Sequence, residues 1–580
     1  MYNAIGSRKS CFLFMARSRA SNQVQRRQSR TYLVDVMESR QKLLFNLMVL
    51  LWLTAVIVFW RWWLDTSHIV GQMRFLINSL VLAWTTLLPG YFLFFVSRMK
   101  KPNPNLPIPS KLKVAMVVTK APSEPWPVVK NTLAAMLAQK YPHDTWLADE
   151  KPTTQTLKWC YENGVNVSTR DGVSEYHNTK WPRRTKCKEG NLAYFYDYYG
   201  YDRYDFVVQL DADHVPTPGY LEEMIRPFAD SKVGYVSAPS ICDTNRDRSW
   251  AARARLFAEA IMHGPLQAGY TSGFAPLCIG SHYAVRTKAL KEIGGLGPEL
   301  AEDHSTTLLM NANGWRGVHA LDAIAHGDGP ATFADCVTQE FQWSRSLIIL
   351  LLTLTPKYWR QLPIKLTFQF LFSQLWYPLF GLSMLTAYAI PIVALVTQTP
   401  LVEVSYFEFL TYSIPQMLVT ILIVVWLKKQ NWLRPVNSPV ISWEAALFQL
   451  ARWPWVIWGT LMALAGVIGR KNFNFKVTPK GAQNLQPLPW RTLLPYFALS
   501  LLFSAVSIGV ENAGTVQGYY YFAVLNGVTY AIVVLVLIGR HYYENVNATL
   551  APTTKRHQLS NLLLTARRAS ANLRGLLAAL

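Results

Sequence analysis

Charge is scarce in this chain, and acid scarcer still. Of 580 residues only 16% are Asp, Glu, Lys or Arg, and 57 basic residues stand against 35 acidic ones. A soluble globular protein carries about 25% charged residues, so the shortage points to a membrane protein, and the excess of base to one with basic cytoplasmic loops. A disulfide framework is also missing: six Cys (Cys11, Cys160, Cys187, Cys242, Cys278, Cys336) are scattered without regular spacing and read as reduced thiols in a cytoplasmic domain. The apolar run Cys11–Met15 is too short for a signal-peptide core, and no small-residue cleavage site follows it. Internal repeats and inverted symmetry are lacking, which tells against a carrier. A hydrophobic content of 51% excludes disorder for most of the chain. The net charge of +22 suggests nucleic acid at first. The basic residues cluster at membrane flanks, however, where anionic lipid attracts them, so no nucleic-acid partner is expected.

What is present falls into five parts. Residues 1–42 hold nine Lys/Arg and two acids and read as a basic, mobile cytoplasmic arm. Residues 43–97 contain two apolar runs, Leu43–Trp60 and Phe75–Val96, each long enough to cross roughly 30 Å of hydrocarbon, with Trp60, Trp62 and Trp63 at one rim. After a Pro-rich linker, Pro102–Pro109, residues 110–345 have the composition of a soluble α/β domain. Residues 346–540 return to membrane character, with spans expected near Trp376–Val396, Phe409–Leu427, Leu493–Val510 and Tyr519–Ile538. Between them Trp443–Ile468 carries Glu444, Arg452 and Pro454 among several Trp and reads as an interfacial helix. Residues 541–580 read as a basic amphipathic tail. The loops Thr397–Glu408 and Glu511–Gly518 lack Lys and Arg, whereas Lys428–Arg434, Arg470–Arg491 and Arg540–Leu580 are basic. Six spans satisfy that pattern in a cell inner (plasma) membrane, with both termini and the α/β domain cytoplasmic.

The chemistry-bearing residues lie in the α/β region. In Phe206-Val-Val-Gln-Leu-Asp211-Ala-Asp213 an apolar strand delivers two carboxylates whose alternation puts them on one side. Ligands of open α/β sheets bind at such strand ends, and paired hard oxygens there suit Mg²⁺ or Mn²⁺; a plain Asp turn is the alternative. A strand from Thr145 ends in Asp149, able to bind a nucleobase or ribose or simply to make a turn before Pro152. Lys188, Gly190 and Asn191 open a helix, a setting for a phosphate or uracil edge. Glu302-Asp303 follows a Gly-rich turn and either compensates a helix dipole or supplies a general base. Gln339-Glu-Phe-Gln-Trp343-Ser-Arg345 lies on an amphipathic segment running to the membrane.

Taken in order, these elements resemble the membrane-bound processive family 2 glycosyltransferases, and most closely the bacterial cellulose synthase catalytic subunits. The series strand–Asp149, Lys188/Gly190/Asn191, Asp211-x-Asp213, Glu302-Asp303 and Gln339-x-x-x-Trp343 resembles the family's D, DxD, TED and QxxRW motifs. Phe475-Lys-Val477-Thr478-Pro-Lys480-Gly481 is similar to its FxVTxKG gating loop. The family's QxxRW Arg is Gln342 here, with Arg345 as a substitute two residues past Trp343, and Ala301 stands where the family has Thr. A C-terminal RxxxR…DxSxxG cyclic-di-GMP signature is lacking.

The resemblance implies a multi-pass α-helical membrane protein with an inserted cytoplasmic glycosyltransferase-A (GT-A) domain. It implies inverting, processive transfer of a sugar, glucose from UDP-glucose, to a growing β-glucan that leaves through the membrane. Asp303 would be the catalytic base and Asp211 and Asp213 the metal ligands. Asp149, Lys188, Asn191, Asp211, Glu302, Gln339, Trp343, Arg345, Thr478 and Lys480 would bind substrate. The implied partners are the nucleotide sugar, the glucan acceptor, membrane lipids and a periplasmic export subunit. A non-processive enzyme acting on a lipid acceptor would use the same carboxylates without a gating loop.

Overall fold

The protein is described from a computed structural model covering residues 32–185, 187–298, 301–469, 487–510 and 514–549. Residues 1–31, the segment 475–481 with Thr478 and Lys480, and the tail from 550 onward lie outside the described residues. The end of the expected arm is structured: Leu33–Asp35 pairs with Lys100–Pro102, and Tyr32 and Leu33 pack on the α/β core.

Seven strands form the central sheet: β1 (Val114–Lys120), β2 (Asp144–Asp149), β3 (Asn166–Ser168), β4 (Phe206–Leu210), β5 (Val233–Ser237), β6 (His282–Arg286) and β7 (Arg316–His319), in the order β7-β5-β6-β4-β1-β2-β3. All pair in parallel except β6, which runs antiparallel to both β4 and β5. Every residue of β1 and β4 is buried, as expected of strands covered on both faces. Alternation divides them cleanly. Met116, Val118, Val208 and Leu210 face one apolar core, while Ala115, Val117 and Val207 join Trp146, Phe195 and Tyr283 in the other. Gln209, fully buried in this setting, accepts a hydrogen bond from Tyr196 Oη at 3.0 Å.

Register places the site. Val118 of β1 and His282 of β6 both stand beside Leu210, the last residue of β4. The turn after β4 thus opens between two neighbouring strand ends. Four helices surround it: α1 (Lys188–Phe195), α2 (Trp250–Ala258), α3 (Glu302–Ala312) and α4 (Phe333–Thr353).

Among the described residues seven helices are long and apolar enough to cross a membrane: Ser39–Trp63, Gln72–Val96, Ile364–Thr397, Tyr406–Lys429, Trp443–Ile468, Trp490–Ile508 and Gln517–Glu544. Six match the expected spans. The seventh, Trp443–Ile468, is the segment expected at the interface; its composition meets the requirement but is the least apolar of the seven. Its charged residues are paired on the α/β side, Glu444 with Arg253 of α2 at 2.8 Å and Arg452 with Glu340 of α4 at 3.2 Å. The tryptophans expected at one rim turn partly inward. Trp63 is buried and donates to Ser79 Oγ at 2.9 Å, and Trp60 donates to Thr86 Oγ1 at 3.1 Å.

Candidate active site

The strand ends at Leu210, and Asp211–His214 forms a turn closed by the His214 N–H on the Asp211 carbonyl at 3.1 Å. Alternation along a strand therefore does not place the two carboxylates; the turn does. An Asp211 oxygen, an Asp213 oxygen and a His214 ring nitrogen lie within 4.8 Å of one another. Asp213 Oδ2 accepts the Asp328 N–H at 2.9 Å, and its Oδ1 is 3.3 Å from His214 Nδ1. Burial opposes a charge on His214, but the Asp213 carboxylate outweighs it and the pKa is pushed up to about 10. Gly327 passes so close over the His214 ring that a Cβ there would sit 2.3 Å from it. The two carboxylates supply hard oxygens that fit a divalent cation, and the His214 nitrogen joins them as a ligand only after losing its proton.

Lys188, at the first turn of α1, reaches across the sheet edge. Its Nζ lies 2.7 Å from Asp211 Oδ1 and donates to the Gly280 carbonyl at 2.6 Å. Gly280 in turn faces the start of α3, where a Cβ would be 3.2 Å from Asp303 Oδ2 and 3.9 Å from Glu302 Oε1. Lys188, Asp211, Glu302 and Asp303 thus form one cluster. Asp303 Oδ1 accepts its neighbour's N–H, that of His304, at 2.7 Å. Burial raises the Asp303 pKa, opposed by the N–H groups of His304 and Gly280 and by Lys188. Burial, and then the Asp303 charge, raise that of Glu302. Glu302 Oε1 is buried without a hydrogen-bond partner among the described residues, a cost met when a ligand donates to it.

Asp149 and Asn191 are close to each other, with Asn191 one turn beyond Lys188 on α1. Asn191 Nδ2 donates to the Ala148 carbonyl at 2.9 Å. Asp149 is fully buried, with Lys120 Nζ 3.2 Å from both carboxylate oxygens. The sequence reading missed Lys120, although a Lys closing a buried strand beside a strand-end Asp was a usable signal.

Gln339 and Trp343 lie one turn apart on α4, and one cation joins them. Arg255 of α2 donates from Nη1 to Gln339 Oε1 at 2.5 Å and lies 4.1 Å from the centre of the Trp343 ring. Arg345 instead sits over Phe341 at 5.3 Å. Two residues along a helix turn about 200°, so Arg345 points away from the Gln339–Trp343 face. No spacing rule in the sequence linked Arg255 to Trp343, 88 positions away.

Comparison with known proteins agrees with this geometry. Residues 206–402 match the family model described as glycosyl transferase family group 2, a span that includes Asp211, Asp213, Glu302, Asp303, Gln339 and Trp343. The mixed sheet with its carboxylates at the strand ends is a GT-A-like glycosyltransferase fold, flanked by candidate membrane helices. Among individual proteins, the chain is 25% identical over 282 residues to the cellulose synthase catalytic subunit of Xanthomonas axonopodis pv. citri, covering 47% of this chain and 36% of the relative. It is 23% identical over 361 residues to that of Pseudomonas fluorescens, covering 61% and 45%. The chain thus spans less than half the length of these relatives. Among solved structures it is similar to a mannosyltransferase from Pyrobaculum calidifontis in complex with GDP-Man and Mn²⁺, at 15% identity and a TM-score of 0.45, covering 67% of this chain and 99% of that one.

Proposed function

We propose that this protein is a processive, inverting glycosyltransferase that adds glucose from UDP-glucose to a growing β-glucan and passes the polymer through its membrane helices. The observation that carries the reading is the cluster of Lys188, Asp211, Glu302 and Asp303 at the strand ends, with Asp213 and His214 beside it. Asp303 accepts the proton of an acceptor hydroxyl, whose oxygen attacks the anomeric carbon from the face opposite the nucleotide. The bond from that carbon to the diphosphate oxygen breaks, UDP leaves, and an α-linked donor yields a β-linkage. Asp211 and Asp213 would hold Mg²⁺ or Mn²⁺, which when bound neutralises charge on the departing diphosphate. Lys188 adds a fixed positive charge at the same place, and the buried Glu302 Oε1 is left to accept from a sugar hydroxyl. Asp149 and Asn191 border the nucleoside end. The α/β domain and both termini lie on the cytoplasmic side of the inner membrane, the side to which the basic loops assign them.

Radiolabelled UDP-glucose incorporation in proteoliposomes, with digestion by linkage-specific glucanases, tests the reading. Asp303→Asn is expected to lower transfer by about 10²–10⁴-fold, the usual contribution of a general base, with UDP affinity kept within a few-fold. A variant retaining more than a tenth of the rate removes Asp303 from that role. Thr478→Ala tests the gating reading: a normal polymer yield makes 475–481 a tether, whereas label that enters lipid and no polymer in the wild type favours the lipid acceptor.

A further inference from the structure

Beyond the carboxylate cluster, a second polar chain runs beneath the Gln339–Trp343 face. His263 Nε2 is 3.3 Å from Glu259 Oε2, Glu259 Oε1 accepts from Arg255 Nε at 3.2 Å, and Arg255 then reaches Gln339 and the Trp343 ring. The side chains of Arg255 and Glu259 are only 15% and 19% exposed. Cys242 is an electrostatic neighbour of Arg255, and its Sγ is 3.9 Å from His214 Nε2, so this polar chain approaches the candidate metal ligands.

We infer that Arg255 is a positioning residue that holds Trp343 as a preformed platform for the acceptor sugar, with Gln339 fixed beside it. The inference rests on the glycosyltransferase reading above. Only a planar guanidinium can lie on an indole and donate in its own plane to Gln339 and Glu259. Glu259, one turn further along, fixes the guanidinium from behind. Trp343 is only partly buried, and no other aromatic ring packs on it among the described residues, so part of the residue stays accessible to a sugar. A ring already held in place loses less side-chain freedom when the sugar binds.

The test is titration of the purified full-length protein with a β-1,4-linked glucan tetrasaccharide, followed by tryptophan fluorescence, with UDP affinity measured in parallel. Arg255→Met is expected to weaken tetrasaccharide binding about tenfold, the scale of a desolvated cation–π contact, with UDP affinity unchanged. Arg255→Lys, which keeps the charge over the ring, recovers part of the loss. Equal tetrasaccharide affinity in wild type and Arg255→Met overturns the inference alone. So does parallel loss of both ligands without recovery by Lys, which marks Arg255 as a folding contact. A wild type that binds neither UDP-glucose nor the tetrasaccharide overturns the functional reading, and the inference with it.

Discussion

Gly190 shows how tightly the start of α1, which carries Lys188 and Asn191, is built. A Cβ at this position would sit 2.1 Å from the Arg184 carbonyl oxygen and 2.2 Å from Arg170 Nη1, and neither can retreat. Arg170 is fully buried, paired with Glu150 and donating to the Tyr176 and Arg184 carbonyls. Gly190→Ala is therefore expected to lower stability by about 3 kcal/mol, the upper end of the usual cost of overpacking. A thermal scan in detergent checks this, and UDP affinity should fall with it. The acidic residues of the candidate site were legible in the sequence: Asp211, Asp213, Glu302 and Asp303 are polar groups at the ends of apolar elements. Their partners were not. Lys188 meets Asp211 across 23 positions, and Gly280 meets Lys188 across 92. Such contacts depend on strand order, which composition does not encode. The reading of Arg345 as the missing cation followed nearness in sequence, where helical geometry puts it on another face.

At the scale of elements, hydrophobic patterning was a good guide. The bounds Trp443–Ile468 and the start of a helix at Glu302 were foreseen to the residue, and β1 and β4 were foreseen as buried apolar runs. Patterning failed at Asp211–Asp213, where a strand was extended into a turn. Pairing between elements decides stability here. The Arg452–Glu340 ion pair joins the Trp443–Ile468 helix to α4, with side-chain exposures of 9% and 1%. Removing one partner of a buried pair costs about 3–5 kcal/mol, because the other charge stays buried. Arg452→Met is thus expected to lower the melting temperature in detergent, and adding Glu340→Gln to recover part of the loss. Glu259 gives a pH test. Burial raises its pKa, but Arg255 and His263 outweigh this and hold it at about 2, against 4.5 for an ordinary Glu. A depressed carboxylate stabilises the fold above its unfolded pKa, and that contribution fades as pH falls from about 4.5 toward 2. With 1.36 kcal/mol per unit, it is of order 3 kcal/mol at neutral pH. The melting-temperature gap between wild type and Glu259→Gln should be widest near pH 7 and close on acidification.

For the whole molecule, the number of crossings turns on the Trp443–Ile468 helix, and packing supplies what hydropathy does not. This helix lies beside α4, from the stacking of Trp443 on Trp250, whose other neighbour is Phe333, through Arg452–Glu340, to Gly459. At Gly459 an added Cβ would sit 2.1 Å from Ser344 Oγ and 2.6 Å from the Phe341 carbonyl oxygen. The far end of α4 also belongs to the α/β domain, with Leu350 and Leu354 packed among Leu308, Leu309 and Ala275. Up to Gly459 the helix therefore shares the depth of an element held against the α/β domain. Only the nine residues 460–468 remain, about 14 Å of helix at 1.5 Å per residue, against roughly 30 Å of hydrocarbon. The expected topology has this helix at the interface, with the chain before and after it on one side. Single cysteines at Glu403, Lys429 and Arg491, all exposed in the structure, test it with a membrane-impermeant maleimide on intact cells and on inverted vesicles. Lys429→Cys and Arg491→Cys should label together in inverted vesicles, and Glu403→Cys in intact cells. Labelling of Lys429→Cys and Arg491→Cys from opposite sides would make Trp443–Ile468 a seventh crossing and put the basic segment 470–491 on the face where the positive-inside pattern does not place it.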